Sequence, residues 1–490
     1  MGINMNLNPS TNWALLGQRM LTDDELYAIH SASLEVLERT GAYFEEQDAR
    51  DYLKAAGAQV DDDTKIVKFP HWLVEEAIRS TPGRFTLAGR DPEFDYVMEY
   101  GRVGFAPIGI APAVRDLNTG KTRPSLKSDI EDYARLVDQL DAIPMVWDCI
   151  MPTDVPTKSA CLHAFEAHVN NSRKHIMTTG PDRITARALV EMAAVVQGGK
   201  EALRERPLIT GGSCPKSPLT FSEAVTSCVI ESSLAGVPSV GMPMVLAGAT
   251  GPVTLAGSLV QHNAEVLADI VLAQAVCKGV PFWYGSCTTI MDLRKAQCAT
   301  GCAEHAMFGA AIACLARFYN IPCVAPGSWT DSKAMDMQAG YEKAFSALVP
   351  AFAGANIIFG AGGFAGGMIV DFGSFVSEND LFNTIQFTLR GFDINEETMA
   401  LDLIHEVGPR GEYLTLSHTM EHMRENQMWP ALFNRDVEST WVTNGSKDLD
   451  EVARERAREL IAKPNPAPLS QSVQDQLAEI IKETEKELGA

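Results

Sequence analysis

The centre of the sequence repeats one pattern eight times. A short apolar run rich in β-forming residues is followed by Gly or Pro and then by a longer stretch with helical spacing of its apolar residues. The runs begin 31 to 42 residues apart, which leaves room for one loop and one helix in each interval. The eight runs are Val103–Ile108, Pro144–Asp148, His175–Thr179, Pro207–Gly211, Ser239–Val245, Pro281–Gly285, Pro322–Ala325 and Asn356–Phe359. Eight such units in succession predict an α/β fold, a (β/α)8 TIM barrel, whose chemistry lies just beyond the C-terminal ends of the strands. An open, doubly wound sheet is the alternative.

The segments on either side of this centre are acidic and have a helical pattern. Residues 1–100 carry a formal charge of -9, residues 101–390 of -3 and residues 391–490 of -10, within a total of -22. The first flank opens with the capping box Thr22–Glu25, followed by apolar residues at helical spacing. We therefore expect an N-terminal helical and mixed extension (1–100), a barrel (101–390) and a C-terminal helical extension (391–490).

Charge and hydropathy exclude several classes of protein. A sequence pI of about 4.9 argues against nucleic-acid binding, and no stretch approaches eighteen unbroken apolar residues, so we expect no membrane association. The first twenty residues lack a charged start followed by an apolar run, which predicts a cytoplasmic protein.

Cofactor and metal motifs receive little support from the sequence. No GxGxxG follows a predicted strand and no GxxxxGK[ST] occurs, so nucleotide cofactors are not indicated. The spacing of Cys298, Cys302 and His305 predicts that they share a helical face, with thiolate and imidazole groups placed to suit a soft metal, although small core residues on a barrel helix explain them as well. His418 and His422 match HxxEH, but they lie outside the barrel. We expect no metal bound by this chain.

Aromatic residues cluster in or just after the predicted strands, although they make up only 8% of the chain. Converging rings attract a quaternary ammonium group through their quadrupoles. Core packing is the competing explanation for any single ring, and only the placement of the group favours a binding role. The candidates are Phe105, Trp147, Tyr284, Trp329, Phe359, Phe364 and Phe372.

Several long motifs, in order along nearly the whole chain, resemble one family. They are Asp116–Gly120 (DLNTG), Gly248–Gly257 (GATGPVTLAG), Gln261–Leu267 (QHNAEVL), Gln338–Lys343 (QAGYEK) and Ala353–Ile358 (AGANII). These segments are similar to the trimethylamine:corrinoid methyltransferase superfamily. The resemblance implies a (β/α)8 barrel that passes a methyl group from an amine to the Co(I) corrinoid of a separate small protein. It therefore implies a corrinoid protein as partner and no cofactor bound by this chain.

The sequence departs from the trimethylamine enzymes of that family in one respect. Those enzymes carry pyrrolysine inside the barrel, whereas this chain has only the twenty standard residues and offers Gly340 near the apparent position. The chain thus looks like the non-pyrrolysine branch, which acts on quaternary amines. This implies glycine betaine as the favoured substrate, with dimethylglycine as the product; proline betaine and carnitine are alternatives.

The same resemblance suggests polar site residues. Glu265 is a candidate active-site carboxylate, and Gln338 is a candidate to hydrogen-bond a substrate carboxylate; each has a structural alternative, which for Gln338 is capping a helix that starts near Asp336. His175, His262 and Lys333 are further candidate partners for such a carboxylate, as their residue types permit.

Two other kinds of function stay open on the sequence. One is a zinc-dependent barrel enzyme, and the other is a non-catalytic protein that binds betaine or scaffolds a corrinoid. The sequence also leaves the oligomeric state, including a homo-oligomer, open.

Overall fold

Eight parallel strands form the centre of the computed structural model, which describes residues 20–465 and 467–489. They are β1 (Gly104–Pro107), β2 (Met145–Trp147), β3 (His175–Thr178), β4 (Ile209–Ser213), β5 (Ser239–Gly241), β6 (Phe282–Gly285), β7 (Cys323–Pro326) and β8 (Ile357–Ala361). The hydrogen-bonded order is β1-β8-β7-β6-β5-β4-β3-β2, and every ladder is parallel. β1 and β2 lie side by side, and isolated hydrogen bonds join their ends, such as the bond from the Ala111 amide to the Cys149 carbonyl oxygen at 2.8 Å. The sheet is therefore a nearly closed barrel.

One long helix follows each strand. The helices are α1 (Lys127–Asp138), α2 (Ala160–Asn171), α3 (Arg183–Gln197), α4 (Glu223–Ala235), α5 (Leu255–Val276), α6 (Ala303–Tyr319), α7 (Met337–Ala353) and α8 (Phe372–Arg390), with a short helix Lys200–Glu205 after α3. Each of the eight predicted runs overlaps one strand, so the predicted (β/α)8 barrel is confirmed and the open sheet is wrong. The strands are buried on both faces because the helices cover the outside and side chains fill the inside.

The N-terminal part packs against one side and one end of the barrel. Its helices are Asp23–Glu35, Gln47–Ala56 and His71–Ser80, and the capping box at Thr22 is present. Strands Ala42–Phe44, Gln59–Asp61 and Ile66–Lys68 form a small sheet with Thr220–Phe221, which follows β4. A hairpin of Phe85–Leu87 and Tyr96–Met98 lies at the N-terminal end of the strands, with the Phe85 ring 6.1 Å from that of Trp283.

The C-terminal part consists of helices along the outside of the barrel. They are Glu396–Met399, Leu401–Val407, Ser417–Asn426, Glu438–Thr443, Leu449–Ile461 and Gln471–Leu488. Leu449–Ile461 packs on α8 and α1, and Gln471–Leu488 packs on α3. Within the described residues, no helix is both long enough and apolar enough to cross a membrane.

Two small sheets extend the barrel beyond the C-terminal ends of its strands. One contains Gly363–Phe364, Ile369–Asp371, Ala113–Arg115 and Thr122–Pro124, from the connections after β8 and β1. The other contains Leu246–Ala247, Thr289–Asp292 and Gln297–Ala299, from the connections after β5 and β6. These sheets surround the barrel mouth, where a (β/α)8 barrel carries its active site.

Candidate active site

Three rings meet inside the barrel at its C-terminal end. The Trp147 ring, at the end of β2, stacks on the Phe359 ring of β8 with centroids 5.3 Å apart and planes at 19°. The Trp329 ring, which follows β7, meets Phe359 edge to face at 5.6 Å and 87°. β2 and β8 are separated by β1, so their side chains can touch only on the concave inner face. Trp147, Trp329 and Phe359 are called the ring cluster below.

Main-chain geometry fixes the ring cluster. The Trp329 Nε1 donates a hydrogen bond to the Phe359 carbonyl oxygen at 2.9 Å. Gly360 comes next, with φ of 143°, and a Cβ there would lie 2.0 Å from Trp329 Cδ1 and 2.1 Å from the Gly327 oxygen. Only glycine permits this approach. The indole is thus held by its edge and by its close contact with the backbone.

The neighbouring strand continues the apolar lining. Met177 of β3 pairs in register with Trp147 and so points to the same inner face. Gly212 of β4 leaves room for it, since a Cβ at Gly212 would lie 2.4 Å from Met177 Cε. A polarizable thioether therefore lies beside the ring cluster.

A carboxylate lies on the same loop as Trp329. Asp331 Oδ1 accepts hydrogen bonds from the Thr300 hydroxyl at 2.9 Å and from the Thr300 amide at 3.1 Å, and burial raises the pKa of Asp331. Glu342 of α7 braces this loop by accepting bonds from the Thr330 hydroxyl at 2.6 Å and the Asp331 amide at 2.8 Å. The loop thus brings negative charge to the barrel mouth in a fixed position.

A buried ion pair contacts the segments that follow β7 and β8. Glu378 of α8 pairs with Lys343 of α7 at 2.9 Å and accepts bonds from the Gly362 amide at 3.0 Å and the Ser328 hydroxyl at 2.6 Å. Lys343 also donates to the Ser328 carbonyl oxygen at 3.1 Å. The pair therefore ties together the segments that follow β7 and β8, which carry Trp329 and the glycine-rich run.

The similarity of this sequence to known proteins extends over nearly the whole chain. The sequence model described as trimethylamine methyltransferase (MTTB) matches residues 8–489. The chain belongs to the trimethylamine methyltransferase family. Trimethylamine methyltransferase MttB of Desulfitobacterium hafniense (strain DSM 10664 / DCB-2) is 38% identical over 468 residues, which cover 96% of this chain and 94% of that protein. Glycine betaine methyltransferase of Desulfitobacterium hafniense (strain Y51) is 30% identical over 472 residues, covering 96% and 98%. The crystal structure of the Methanosarcina barkeri monomethylamine methyltransferase MtmB has the same fold, with a TM-score of 0.50 at 13% identity and coverage of 92% and 96%.

Four of the seven candidate rings lie elsewhere in this methyltransferase. Phe105 stacks on Phe382 of α8 at 3.9 Å, on the outer face of the barrel. The Tyr284 hydroxyl donates to Asn263 Oδ1 of α5 at 2.7 Å, also outward. The other two are Phe364, which lies under Arg115 and Lys343 at 5.1 and 4.8 Å, and Phe372, 6.4 Å from Tyr133 of α1.

The polar candidates taken from the resemblance lie apart from the ring cluster. Gln338 is exposed on α7 and donates to Glu342 Oε1 at 2.8 Å, while Asp336 caps the helix. Gly340 is exposed, and a Cβ there would point into open space, apart from the atoms of its own helix. Glu265 accepts bonds from the Ser217 hydroxyl at 2.7 Å and the Leu219 amide at 2.8 Å, and burial raises its pKa. In this structure Glu265 holds the segment after β4.

The remaining candidate carboxylate partners also have other contacts. His175 lies at the start of β3, where its Nε2 is 2.9 Å from Thr210 Oγ1, and burial lowers its pKa to about 4. His262 Nδ1 lies 3.1 Å from Thr288 Oγ1, and burial lowers its pKa to about 3. Lys333 is exposed and donates to a carbonyl oxygen of its own loop.

The predicted common helical face of Cys298, Cys302 and His305 is wrong. Cys298 lies in the strand Gln297–Ala299, and Cys302 is the N-cap of α6, because the chain turns at Gly301 with φ of 69° before the helix begins. His418 and His422 lie on the helix Ser417–Asn426 with rings 4.4 Å apart. Over residues 20–465 and 467–489, no group of three or more His, Cys, Asp or Glu side chains is placed to hold a metal.

Sequence reasoning missed the residues that fix the ring cluster in place. Lys343 occurs on the buried face of α7 with Ala339 and Ala347, and Glu378 lies on the buried face of α8 between Phe375 and Phe382. Lys and Glu are almost never fully buried unless they are paired. A charge of each sign on the apolar faces of consecutive helices was thus the available signal.

Proposed function

We propose that this protein transfers a methyl group from a quaternary amine, with glycine betaine as the first candidate, to the Co(I) corrinoid of a separate protein. The observation that supports this most directly is the ring cluster at the C-terminal end of the barrel. Proline betaine and carnitine present the same trimethylammonium or dialkyl-dimethylammonium chemistry. Trimethylamine is a competing substrate, because relatives that are 38% and 34% identical carry that name.

A quaternary nitrogen suits a site built from rings. When a nucleophile takes the methyl group, the C–N bonding pair stays with nitrogen, which leaves as a neutral tertiary amine. No proton has to be supplied. Neutral trimethylamine would have to leave as an amide anion unless a proton or another electrophile were provided. The ring cluster provides no general acid, since its two polar hydrogens belong to the indole N–H groups of Trp147 and Trp329, which donate hydrogen bonds but do not release a proton. That of Trp329 is bonded to the Phe359 carbonyl oxygen.

The rings bind the cation without binding it too tightly. Each ring attracts a desolvated quaternary ammonium by about 0.5 to 2 kcal/mol. Positive charge leaves the nitrogen as the methyl group departs, so a carboxylate in direct contact would stabilise the substrate more than the transition state. Asp331 is instead held by Thr300 on the loop beside Trp329. The protein then contributes mainly orientation and exclusion of water.

The corrinoid protein has to reach the ring cluster through the barrel mouth, at the C-terminal end of the strands. Exposed apolar side chains occur in the connections that follow five of the strands, on the C-terminal side of the barrel. They are Ile110, Met244, Val253, Leu293, Met337 and Met368. We propose that this rim receives the corrinoid protein, since exposed apolar groups grouped around a site are typical of docking surfaces.

A methyl-transfer assay tests the proposal. Purified protein is mixed with chemically reduced cob(I)alamin as the methyl acceptor, and glycine betaine, proline betaine, carnitine or trimethylamine is added. We expect methyl-cobalt formation, seen in the visible spectrum, with at least one quaternary amine. The proposal fails if no quaternary amine is demethylated under conditions in which a known corrinoid methyltransferase works. Turnover of trimethylamine alone would replace the substrate class and leave methyl transfer intact.

A further inference from the structure

Two cysteines follow alternate strands at the mouth end of the barrel. Cys214 comes directly after β4, and Cys287 comes two residues after the end of β6. Side chains inside a (β/α)8 barrel form layers, and each layer takes its side chains from alternate strands. Residues that follow β4 and β6 can therefore share a layer, although β5 lies between the two strands.

Cys214 points into the barrel. Successive side chains along a strand alternate between its two faces. The Ser213 hydroxyl donates to Asp269 of α5, outside the barrel, whereas the preceding Gly212 faces Met177 in the interior. Cys214 is thus the next inward residue toward the mouth, on the mouth side of the Met177 thioether.

Cys287 points the same way. The Tyr284 hydroxyl donates to Asn263 of α5, and the Thr288 hydroxyl lies 3.1 Å from His262 Nδ1 of the same helix. Both of these side chains therefore face outward. Cys287 precedes Thr288 and, by the same alternation, faces inward.

The two thiols are in contact with each other. A hydrogen bond from the Cys287 thiol lowers the pKa of Cys214, and the same bond raises the pKa of Cys287. Cys214 therefore carries more thiolate at neutral pH than an ordinary cysteine, and the thiolate is the form that reacts with oxidants.

Cys214 is also accessible to small molecules. All ten cysteines lie in the described part of the chain, and Cys214 is the exposed one among them, while Cys287 is half-buried. Because Cys214 points inward, its exposed surface faces the space inside the barrel mouth. A small oxidant that enters the mouth thus meets a reactive thiol with a second thiol beside it.

We infer that Cys214 and Cys287 form a redox modification site, a dithiol whose oxidation to a disulfide hinders binding of the amine. The oxidant is a small disulfide such as oxidised glutathione. The Cys214 thiolate attacks one of its sulfurs and releases a glutathione thiolate; Cys287 then loses its proton and attacks the Cys214 sulfur, which releases the second glutathione. Two cysteine thiols and one glutathione disulfide become one protein disulfide and two molecules of glutathione.

The disulfide lies on the wall of the barrel that faces the ring cluster. β4, β5 and β6 are separated from β2 and β8, which carry Trp147 and Phe359, by β3 on one side and β7 on the other. A bond of about 2.0 Å ties the connection after β4 to the connection after β6. That wall can then no longer adjust to an amine that enters the mouth. This consequence rests on the proposed function, whereas the disulfide itself does not.

Mass spectrometry of the whole protein tests the dithiol. Oxidised glutathione should lower the mass of the wild type by two hydrogen atoms, and peptide mapping should find Cys214 joined to Cys287. Cys287→Ser should instead keep one glutathione on Cys214, since no second thiol displaces it. Cys277→Ser is the matched control, because Cys277 is half-buried at the end of α5, and it should form the same disulfide as the wild type. No reaction, glutathione retained by the wild type, or a bond from Cys214 to another cysteine would overturn the inference.

Calorimetric titration with glycine betaine, in buffer without reductant, tests the consequence. Oxidation of the wild type should raise the dissociation constant by about five-fold or more, and treatment with dithiothreitol should restore it. Each protein is compared with itself before and after oxidation, and the ratio of the two constants should stay near one for Cys214→Ser. Equal affinity of the oxidised and reduced wild type, or equal weakening in Cys214→Ser, would overturn the effect on binding. If the reduced protein binds no quaternary amine, the proposed function fails, while the mass measurement still decides whether the dithiol exists.

Discussion

Replacing one ring of the cluster should weaken the binding of a cation specifically. In Trp147→Leu the site keeps an apolar side chain but loses the indole face that stacks on Phe359 at 5.3 Å. A single ring contributes about 0.5 to 2 kcal/mol to a desolvated quaternary ammonium. The dissociation constant for glycine betaine should therefore rise by about 2- to 30-fold.

The cationic part of this effect can be separated from the loss of apolar contact. Calorimetric titration with 3,3-dimethylbutanoate, in which carbon replaces the quaternary nitrogen, measures apolar contact without charge. Wild type should prefer glycine betaine over this isostere, and Trp147→Leu should lose most of that preference. Equal weakening for both ligands would refute a cation–π role for Trp147 and leave it as a shape-forming side chain.

A matched variant controls for general destabilisation. Phe105→Leu removes a buried ring that stacks on Phe382 outside the barrel. Its melting temperature should fall, because replacing a buried ring by a smaller side chain leaves part of its space unfilled and costs about 1 to 3 kcal/mol, while its affinity for glycine betaine stays at the wild-type value. If Phe105→Leu weakens binding as much as Trp147→Leu, the ring cluster is not the binding site.

Three further predictions concern the ion pair, a buried carboxyl group and the rim. Glu378→Gln should lower the free energy of unfolding in denaturant by about 3 to 5 kcal/mol, because Lys343 would stay buried without its partner. The double variant Glu378→Gln/Lys343→Met should recover part of this loss. If it recovers none, the ion pair is not the cause. Burial raises the pKa of Asp269 to about 7. Between about pH 4 and 7 the folded protein therefore holds a proton that the unfolded chain releases. The contribution of this carboxyl group to stability thus falls as the pH rises through that range. Asp269→Asn should thus melt at a higher temperature relative to wild type at pH 7 than at pH 5; a constant difference would contradict the shift. Leu293→Asp should raise the KM for the corrinoid protein and leave that for the amine unchanged, and an unchanged KM for the protein partner would exclude this part of the rim from docking.

The order of the elements could be predicted from the sequence because each unit has local signals. Apolar runs mark the strands, and caps such as Asp182 before α3 and Asp371 before α8 mark the helix starts. These signals depend on neighbours in the chain, and eight of them in succession permit few folds. The N-terminal helix was predictable for the same reason, through its Thr22 capping box.

The face of the barrel sheet on which each ring lies, inner or outer, could not be predicted from such local signals. Strands covered on both faces are apolar throughout, so their sequences lack the alternation that would identify the inner face. Phe105 and Trp147 therefore looked equivalent, although one faces α8 and the other faces the interior. The ion pair of Lys343 and Glu378 joins residues of different helices, and its geometry depends on the packing of the whole barrel.

The close approach at Gly360 also bears on how the substrate range of this enzyme can change. A side chain at Gly360 would collide with the Trp329 ring at 2.0 Å, so that ring cannot be moved by enlarging residue 360. New specificities are more accessible in the two small sheets around the mouth, which are hydrogen-bonded as sheets separate from the barrel strands. A directed-evolution library should therefore keep residues 359 and 360 invariant and randomise the connections after β1, β5, β6 and β8.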